Sequence, residues 1–345
     1  MTINENLHIS KFEPLPSPMD LKTLLPLSES GNKRVVESRN KIQEILDHKS
    51  SIFLVIVGPC SIHCPAEAIE YAKRLKRLSL EVDSKLMLVM RVYFEKPRTT
   101  IGWKGLIYDP DLDGSCHVSK GLRIARELLL EIEELGLPTG TEILGPITAQ
   151  YIADLVSWSA IGARTTESQT HRQLASGLSM PVGFKNSTNG NVKTAIEAIK
   201  AAMHNHVFLG VLEDGRSGIF HTTGNKYSHI ILRGGFDKPN YASESIAYTR
   251  GLLNNNNLMP SIIVDCSHAN SGKIASKQSE VLRDVIAQIK NKEKSIVGVM
   301  IESNLIHGKQ EMDDLSPLKY GISITDECIG WQETEDIIRK LYDSI

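Results

Sequence analysis

Between residues 53 and 341 the sequence alternates eight times between a short β-rich run and a longer segment with helical apolar spacing, and no other feature restricts the fold as much. The runs cover 53–57, 86–91, 139–143, 158–163, 182–185, 230–233, 262–266 and 296–301. The helical patterns follow them in turn at 65–78, 118–135, 148–156, 172–178, 191–203, 243–253, 277–290 and 333–341. Strands joined by helices are parallel, because only a long crossover returns the chain to the same end of the sheet. Eight such units close most simply as a (β/α)8 TIM barrel, an α/β fold. The competing open, doubly wound sheet calls for a Gly-rich dinucleotide turn after its first strand, and Gly58-Pro59-Cys60-Ser61 is not one.

A barrel needs about 250 residues, and this chain has 345. Two additions account for the surplus around a catalytic barrel assigned to residues 49–345. Residues 1–48 form an N-terminal extension, rich in Pro, Ser and Leu up to Lys33 and then helical over 35–48 through Val36, Ile42, Ile45 and Leu46. An inserted β-hairpin at about 206–222 places Glu213-Asp214-Gly215 between two apolar runs, 206–212 and 216–222. Asn254 to Asn257 is expected to be a polar loop.

Charge and cysteine content narrow the function. Lys plus Arg number 39 against 41 Asp plus Glu, so no global basic field draws the chain to nucleic acid or a membrane surface, and any anion site must be local. No run approaches the roughly 18 apolar residues of a membrane span, and Met1 to Glu13 has neither the basic start nor the apolar stretch of a signal peptide. Five irregularly spaced cysteines argue for a reducing compartment, hence a cytoplasmic protein.

Barrel chemistry collects at the C-terminal ends of the strands, and here the strands end at or run into Cys60, Arg91, Glu142, Arg164, Lys185, Arg233, His268 and Glu302. So many ionisable groups on one rim imply a ligand that balances them. Any single cation among Arg91, Lys96, Arg164, Lys185 and Arg233 reads more simply as a solvated strand end. Together they suit a phosphorylated and carboxylated substrate. The Pro-stiffened stretch Phe94-Glu95-Lys96-Pro97-Arg98-Thr99-Thr100 offers a second phosphate grip. Taken alone, Cys60 is a small buried residue and His268 a hydrogen-bonded one. With Glu302 and Asp326 they make a donor set for one divalent metal ion, manganese, iron, cobalt or zinc. Cys64, Cys116, Cys266 and Cys328 have no such partners at strand ends.

Gly58-Pro59-Cys60-Ser61-Ile62-His63, Phe94-Glu95-Lys96-Pro97-Arg98-Thr99, Gly162-Ala163-Arg164-Thr165-Thr166-Glu167-Ser168, Val182-Gly183-Phe184-Lys185-Asn186, Leu232-Arg233-Gly234-Gly235, Asp265-Cys266-Ser267-His268 and Ser323-Ile324-Thr325-Asp326 occur in that order. With these motifs the chain resembles the class I 3-deoxy-D-arabino-heptulosonate-7-phosphate synthases, from about Arg34 to Leu341. The resemblance implies condensation of phosphoenolpyruvate with erythrose 4-phosphate, the first step of the shikimate pathway. Cys60, His268, Glu302 and Asp326 would hold the metal. Arg91, Lys96, Arg164, Lys185 and Arg233 would hold phosphoenolpyruvate, and Lys96, Pro97, Arg98 and Thr99 the erythrose 4-phosphate. Lys96 would assist protonation of the new alkoxide, and Glu142 would orient or deprotonate the attacking water.

The same resemblance implies feedback inhibition by an aromatic amino acid, in a pocket shaped by Gln150, Gly177, Leu178, Ser179, Phe208, Gly210 and Phe220. Gly210 stands where phenylalanine-sensitive relatives tend to have Ser and tyrosine-sensitive ones Gly, which favours tyrosine. A homodimer or homotetramer, with the N-terminal extension reaching a neighbour, is implied as well. Two other readings compete: a synthase taking another sugar phosphate such as arabinose 5-phosphate, and a non-catalytic phosphate-binding or amino-acid-sensing barrel. The second has no use for the metal donors or for Glu142.

Overall fold

A computed structural model of the chain describes residues 4–236, 238–312 and 317–345, so the first three residues of the extension lie outside the described residues. Among the described residues, ten strands form two sheets. β1 (Phe53–Gly58), β2 (Leu86–Arg91), β3 (Thr139–Glu142), β4 (Trp158–Ile161) and β5 (Val182–Lys185) belong to the barrel. β6 (Val207–Val211) and β7 (Ser217–His221) pair antiparallel as a separate hairpin, and β8 (Ser228–Leu232), β9 (Ile262–Asp265) and β10 (Ile296–Glu302) complete the barrel. The closed parallel order is β1-β10-β9-β8-β5-β4-β3-β2, with β1 paired to both β10 and β2. The (β/α)8 expectation holds, and the inserted hairpin falls between the fifth and sixth barrel strands.

Alternation along each strand sorts the residues into two apolar clusters. Val55, Val57, Leu88 and Met90 pack outward against the helices. Leu54, Ile56, Met87, Val89, Trp158, Ala160, Ile231, Ile263 and Met300 fill the interior. Both faces are buried, which is why the strands read as nearly continuous apolar runs. Trp158 fits because its two neighbours lack side chains: a Cβ on Gly140 would stand 3.1 Å from the indole, and one on Gly183 2.8 Å.

The N-terminal extension plugs the bottom of this interior. α1 (Pro18–Leu24) begins at a capping box in which Ser17 and Asp20 satisfy each other's backbone N–H. α2 (Glu29–Leu46) inserts Ile42, Ile45 and Leu46 into the inner cluster, each burial worth about 1.5–3 kcal/mol. Arg34 anchors α2 through a two-pronged pair with Glu133 at 2.6 and 3.0 Å, and Arg39 donates to the carbonyls of Ala153 and Val156.

The remaining helices are α3 (Pro65–Val82), α4 (Val118–Glu134), α5 (Ala149–Ile152), α6 (Gln169–Gly177), α7 (Val192–Ala202), α8 (Ser243–Asn255), α9 (Gln278–Lys290) and α10 (Trp331–Ser344). Two differ from expectation. The pattern over 148–156 becomes the one-turn α5 followed by a 3-10 turn, Ala153–Leu155. The first two of the four asparagines extend α8, and Asn257 ends it with φ 56°, since Asn tolerates the left-handed conformation after a helix.

Candidate active site at the barrel mouth

The inward-facing series of each strand turns from apolar to charged as it reaches the C-terminal rim. Met87 and Val89 lead to Arg91, Ile231 to Arg233, Ile263 to Asp265, and Met300 to Glu302. The same step of two carries Gly140 to Glu142 and Gly183 to Lys185, and past the strand ends it reaches Cys60 and Arg164. The result is a cavity of about 300 Å3 lined by Arg91, Lys96, Pro97, Arg98, Thr99, Glu142, Arg164, Lys185, Arg233, His268, Glu302 and Asp326, with Tyr93, Thr100, Thr188, Lys273 and Thr325 among the others.

Cys60 is the one expected residue not on the cavity wall. It is fully buried behind Lys96, whose Nζ lies 3.0 Å from its Sγ. It still belongs to the donor set, because ligand atoms of Cys60, Glu302 and Asp326 lie within 4.8 Å of one another. A hydrogen bond of 2.7 Å between Ser61 and Thr325 ties the loop of Cys60 to that of Asp326. His268 stands at the edge of this group, its Nε2 3.8 Å from Glu302 Oε1. Its Nδ1 lies 2.8 Å from Asp265 Oδ2, a close charge contact without hydrogen-bond alignment, and its Nε2 faces Glu302. Its backbone sits at φ 54°, a left-handed strain of the kind held at functional sites.

Charges at the base are paired. Arg91 Nη2 lies 3.0 Å from Glu302 Oε1, and the guanidinium stacks 3.9 Å over the Tyr93 ring. Lys185 Nζ lies 3.1 Å from Asp265 Oδ2, and Ser267 Oγ donates to Glu302 Oε2 at 2.7 Å. Burial alone would raise the Asp265 and Glu302 pKa values, yet both are held below the ordinary carboxylate range. His268 and Lys185 do this for Asp265, and His268, Arg91 and Lys96 for Glu302. Burial, then Glu302, pushes the Cys60 thiol up against the pull of Lys96. Burial opposes the charge on Lys96, but Cys60, Glu302 and Asp326 outweigh it and raise its pKa. Thiol, imidazole and carboxylates together suit manganese, iron, cobalt or zinc, so the residues fit a divalent ion.

Glu142 is buried, and its Oε1 has no hydrogen-bond partner among the described residues. The oxygen is packed against Gly162, where a Cβ would stand 2.4 Å away. Asp265 and Lys273 were not singled out from the sequence. Asp265 obeys the same alternation that selects its neighbours, whereas Lys273, whose Nζ lies 3.9 Å from Asp326 Oδ1, carries no local signal.

A second cavity, of about 340 Å3, lies under the hairpin and is lined by Gln150, Gly177, Leu178, Ser179, Phe208 and Phe220, with Lys22, Asn32 and Arg39. Phe208 and Phe220 are stacked register partners, centroids 5.5 Å apart. Gly210 is not on the wall. It lies behind it, and a Cβ there would meet the Phe220 ring at 2.8 Å.

The family model of the DAHP synthetase I family matches residues 33–339. The chain is 50% identical to the phospho-2-dehydro-3-deoxyheptonate aldolase, Tyr-sensitive, of Escherichia coli (strain K12), over 99% of this chain and 96% of that one. It is 51% identical to the Phe-sensitive enzyme of the same strain, over 99% and 97%, and 48% identical to the Trp-sensitive one, over 100% and 99%. A solved structure of phospho-2-dehydro-3-deoxyheptonate aldolase from Francisella tularensis SCHU S4 superposes with a TM-score of 0.96, at 47% identity and 98% coverage of both chains.

Proposed function

Because the chain belongs to the DAHP synthetase I family, we propose that it is a transferase, a 3-deoxy-7-phosphoheptulonate synthase that joins phosphoenolpyruvate, D-erythrose 4-phosphate and water into 3-deoxy-D-arabino-heptulosonate 7-phosphate and phosphate. The observation that carries this reading is the cavity in which Arg91, Lys96, Arg164, Lys185 and Arg233 face Glu302, Asp326 and His268. Five cations match the phosphate and carboxylate of phosphoenolpyruvate. Lys96, Pro97, Arg98 and Thr99, on the adjoining loop, are assigned to the erythrose 4-phosphate.

Cys60, His268, Glu302 and Asp326 are the residues that would hold the divalent metal. The chemistry such an ion supplies when bound is polarisation of the aldehyde oxygen. The chain's own groups do the rest. The cations fix phosphoenolpyruvate with its C3 towards the aldehyde carbon, so that the carbon–carbon bond forms between held partners. Lys96 Nζ, beside the donor set, delivers a proton to the new alkoxide. The free Oε1 of Glu142 orients the water that adds at C2, after which phosphate leaves by C–O cleavage. Asp265 keeps Lys185 and His268 in place.

The cavity under the hairpin is assigned to an aromatic amino acid inhibitor bound by Gln150, Gly177, Leu178, Ser179, Phe208 and Phe220, with Gly210 acting through the Phe220 ring. Tyrosine is the favoured inhibitor. The relatives include tyrosine-, phenylalanine- and tryptophan-sensitive enzymes at nearly equal identity, so Gly210 carries that choice. Residues 1–48 are assigned to regulation and oligomerisation, in a cytoplasmic homodimer or homotetramer. α1 docks on its own hairpin through Met19 N to the Glu213 carbonyl at 2.8 Å and Lys22 to Glu213 at 3.1 Å, which leaves Leu7, Ile9 and Phe12 exposed for a neighbour. No helix among the described residues is long and apolar enough to cross a membrane.

Phosphate release from phosphoenolpyruvate plus erythrose 4-phosphate with Mn2+, lost on adding a chelator and absent with arabinose 5-phosphate, is the expected result. Equal turnover of arabinose 5-phosphate, or full activity in chelator after exhaustive metal removal, would overturn the reading.

A further inference from the structure

Among the described residues three arginines of the mouth have no ionic partner; Arg98 and Arg164 are exposed to water, whereas Arg233 is buried. Arg233 is only 9% exposed, and the one hydrogen bond of its guanidinium within the described residues is a long one, Nη1 to the carbonyl of Gly234 at 3.4 Å. Burial lowers its pKa against the pull of Asp265. A buried guanidinium without a carboxylate is costly, and its own side-chain contacts do not fix where it points. Its main chain does.

Three asparagines from three successive strand ends converge behind it. Asn186, after β5, accepts from Arg233 N at 2.8 Å and from Asn240 Nδ2 at 3.1 Å, and donates to the carbonyls of Ser187 and Gly234 at 2.9 and 3.0 Å. Asn240, after β8, accepts from Gly234 N at 2.7 Å. Asn270, after β9, accepts from Asn240 N at 2.8 Å and donates to the carbonyls of Leu232 and Asp265 at 3.0 and 2.8 Å. Ala269 N donates to the Arg233 carbonyl at 3.1 Å. Every backbone N–H and carbonyl of Arg233 and Gly234 is therefore taken.

All three amides are buried, and Asn186 makes every hydrogen bond its side chain can make. Gly234 itself, at φ 78°, has no room for a Cβ, which would stand 2.7 Å from Ala269 C. A network that merely stitched loops together would distribute its bonds along them. Here four of the bonds fall on three consecutive residues, Leu232, Arg233 and Gly234, the middle one the buried guanidinium without a carboxylate. A satisfied buried network of this kind is stiff, and stiffness is what an anion-binding guanidinium requires before its ligand arrives.

We propose that Asn186, Asn240 and Asn270 are positioning residues that preorganise Arg233 for the anionic end of phosphoenolpyruvate. The inference rests on the reading of the mouth as a phosphoenolpyruvate site. The test is calorimetric titration of phosphoenolpyruvate into the Mn2+-loaded full-length protein, for wild type, Asn240→Ala, Asn270→Ala and Asn186→Ala, with steady-state kinetics and Mn2+ affinity alongside. Displacement of a binding group by a fraction of an ångström is expected to weaken phosphoenolpyruvate at least about tenfold, while in Asn240→Ala, whose side chain bonds only Asn186 and Gly234, the KM for erythrose 4-phosphate and the Mn2+ Kd stay within about twofold. Ile45→Ala, at the barrel bottom, serves as a control that lowers Tm without moving the phosphoenolpyruvate Kd. Asn240→Ser replaces any alanine variant that does not fold. The inference is overturned by an unchanged phosphoenolpyruvate Kd, or by parallel rises in both substrate constants and the Mn2+ Kd. Failure of the wild type to bind phosphoenolpyruvate refutes the functional reading instead.

Discussion

Asp265→Asn is the substitution that asks most of this site. The carboxylate is fully buried and faces two groups at once, Lys185 Nζ at 3.1 Å and His268 Nδ1 at 2.8 Å, through the same Oδ2. Its other oxygen accepts from Ser267 N at 3.0 Å. Asparagine keeps the shape but removes the charge. A Lys185 ammonium in the wild-type position is left buried without its counter-ion, which costs about 3–5 kcal/mol. At about 2.1 cal/mol/K per residue, a chain of 345 residues has an unfolding entropy near 0.7 kcal/mol/K, so Tm should fall by about 4–7 °C. His268 loses the carboxylate beside its Nδ1, and loss of such an outer partner typically costs about 10–100-fold in metal affinity. Both effects are measurable on one preparation, Tm by calorimetry on metal-free protein and Mn2+ affinity from the free-ion EPR signal. A variant that melts within a degree of wild type and binds Mn2+ as tightly would refute the argument that Asp265 holds both groups in place.

The buried His229 accepts from the Trp158 indole N–H at 3.0 Å and donates to the Tyr227 carbonyl at 3.1 Å, and burial depresses its pKa from 6.5 to about 4. The unfolded chain therefore takes up the proton first as pH falls, so this contribution is complete above pH 6.5 and shrinks down to pH 4. Unfolding at pH 5 should show about 2 kcal/mol less stability from this residue than at pH 7.5, and His229→Gln should flatten that part of the profile. Gly210→Ser forces the Phe220 ring aside, so the tyrosine concentration for half inhibition should rise at least about tenfold with kcat unchanged; an unaltered inhibition curve removes Gly210 from the specificity argument. Removal of the residues before Arg34 deletes the Lys22 to Glu213 contact and the exposed Leu7, Ile9 and Phe12. Such a protein should retain turnover, lose inhibition and elute as a smaller species, and retention of full inhibition would contradict the regulatory role of the extension.

The barrel and most of its mouth were legible because one rule governs both. A parallel strand buried on two faces shows a continuous apolar run, and the residue two beyond its last inward apolar position enters the mouth. That rule selects Arg91, Glu142, Lys185, Arg233 and Glu302, and it also reaches Asp265. Asp265 is followed three residues later by His268, a stronger metal-donor signal at the same strand end. What the rule does not reach is whatever the loops bring back. Asp326 arrives from a long segment tied down by Ser61 and Thr325. Lys273 arrives through a turn with two left-handed residues, Gly272 and Lys273, and Asn240 and Asn270 are ordinary polar residues until three strand ends are side by side. Strand periodicity is local and can be read along the chain, whereas a contact between loops depends on which strands the closure makes adjacent. In this molecule the groups expected to touch substrate lie mainly on the periodic part and those that aim them on the other. Substitutions at the second set should therefore alter affinity for one substrate at a time, leaving the chemistry of the first set in place.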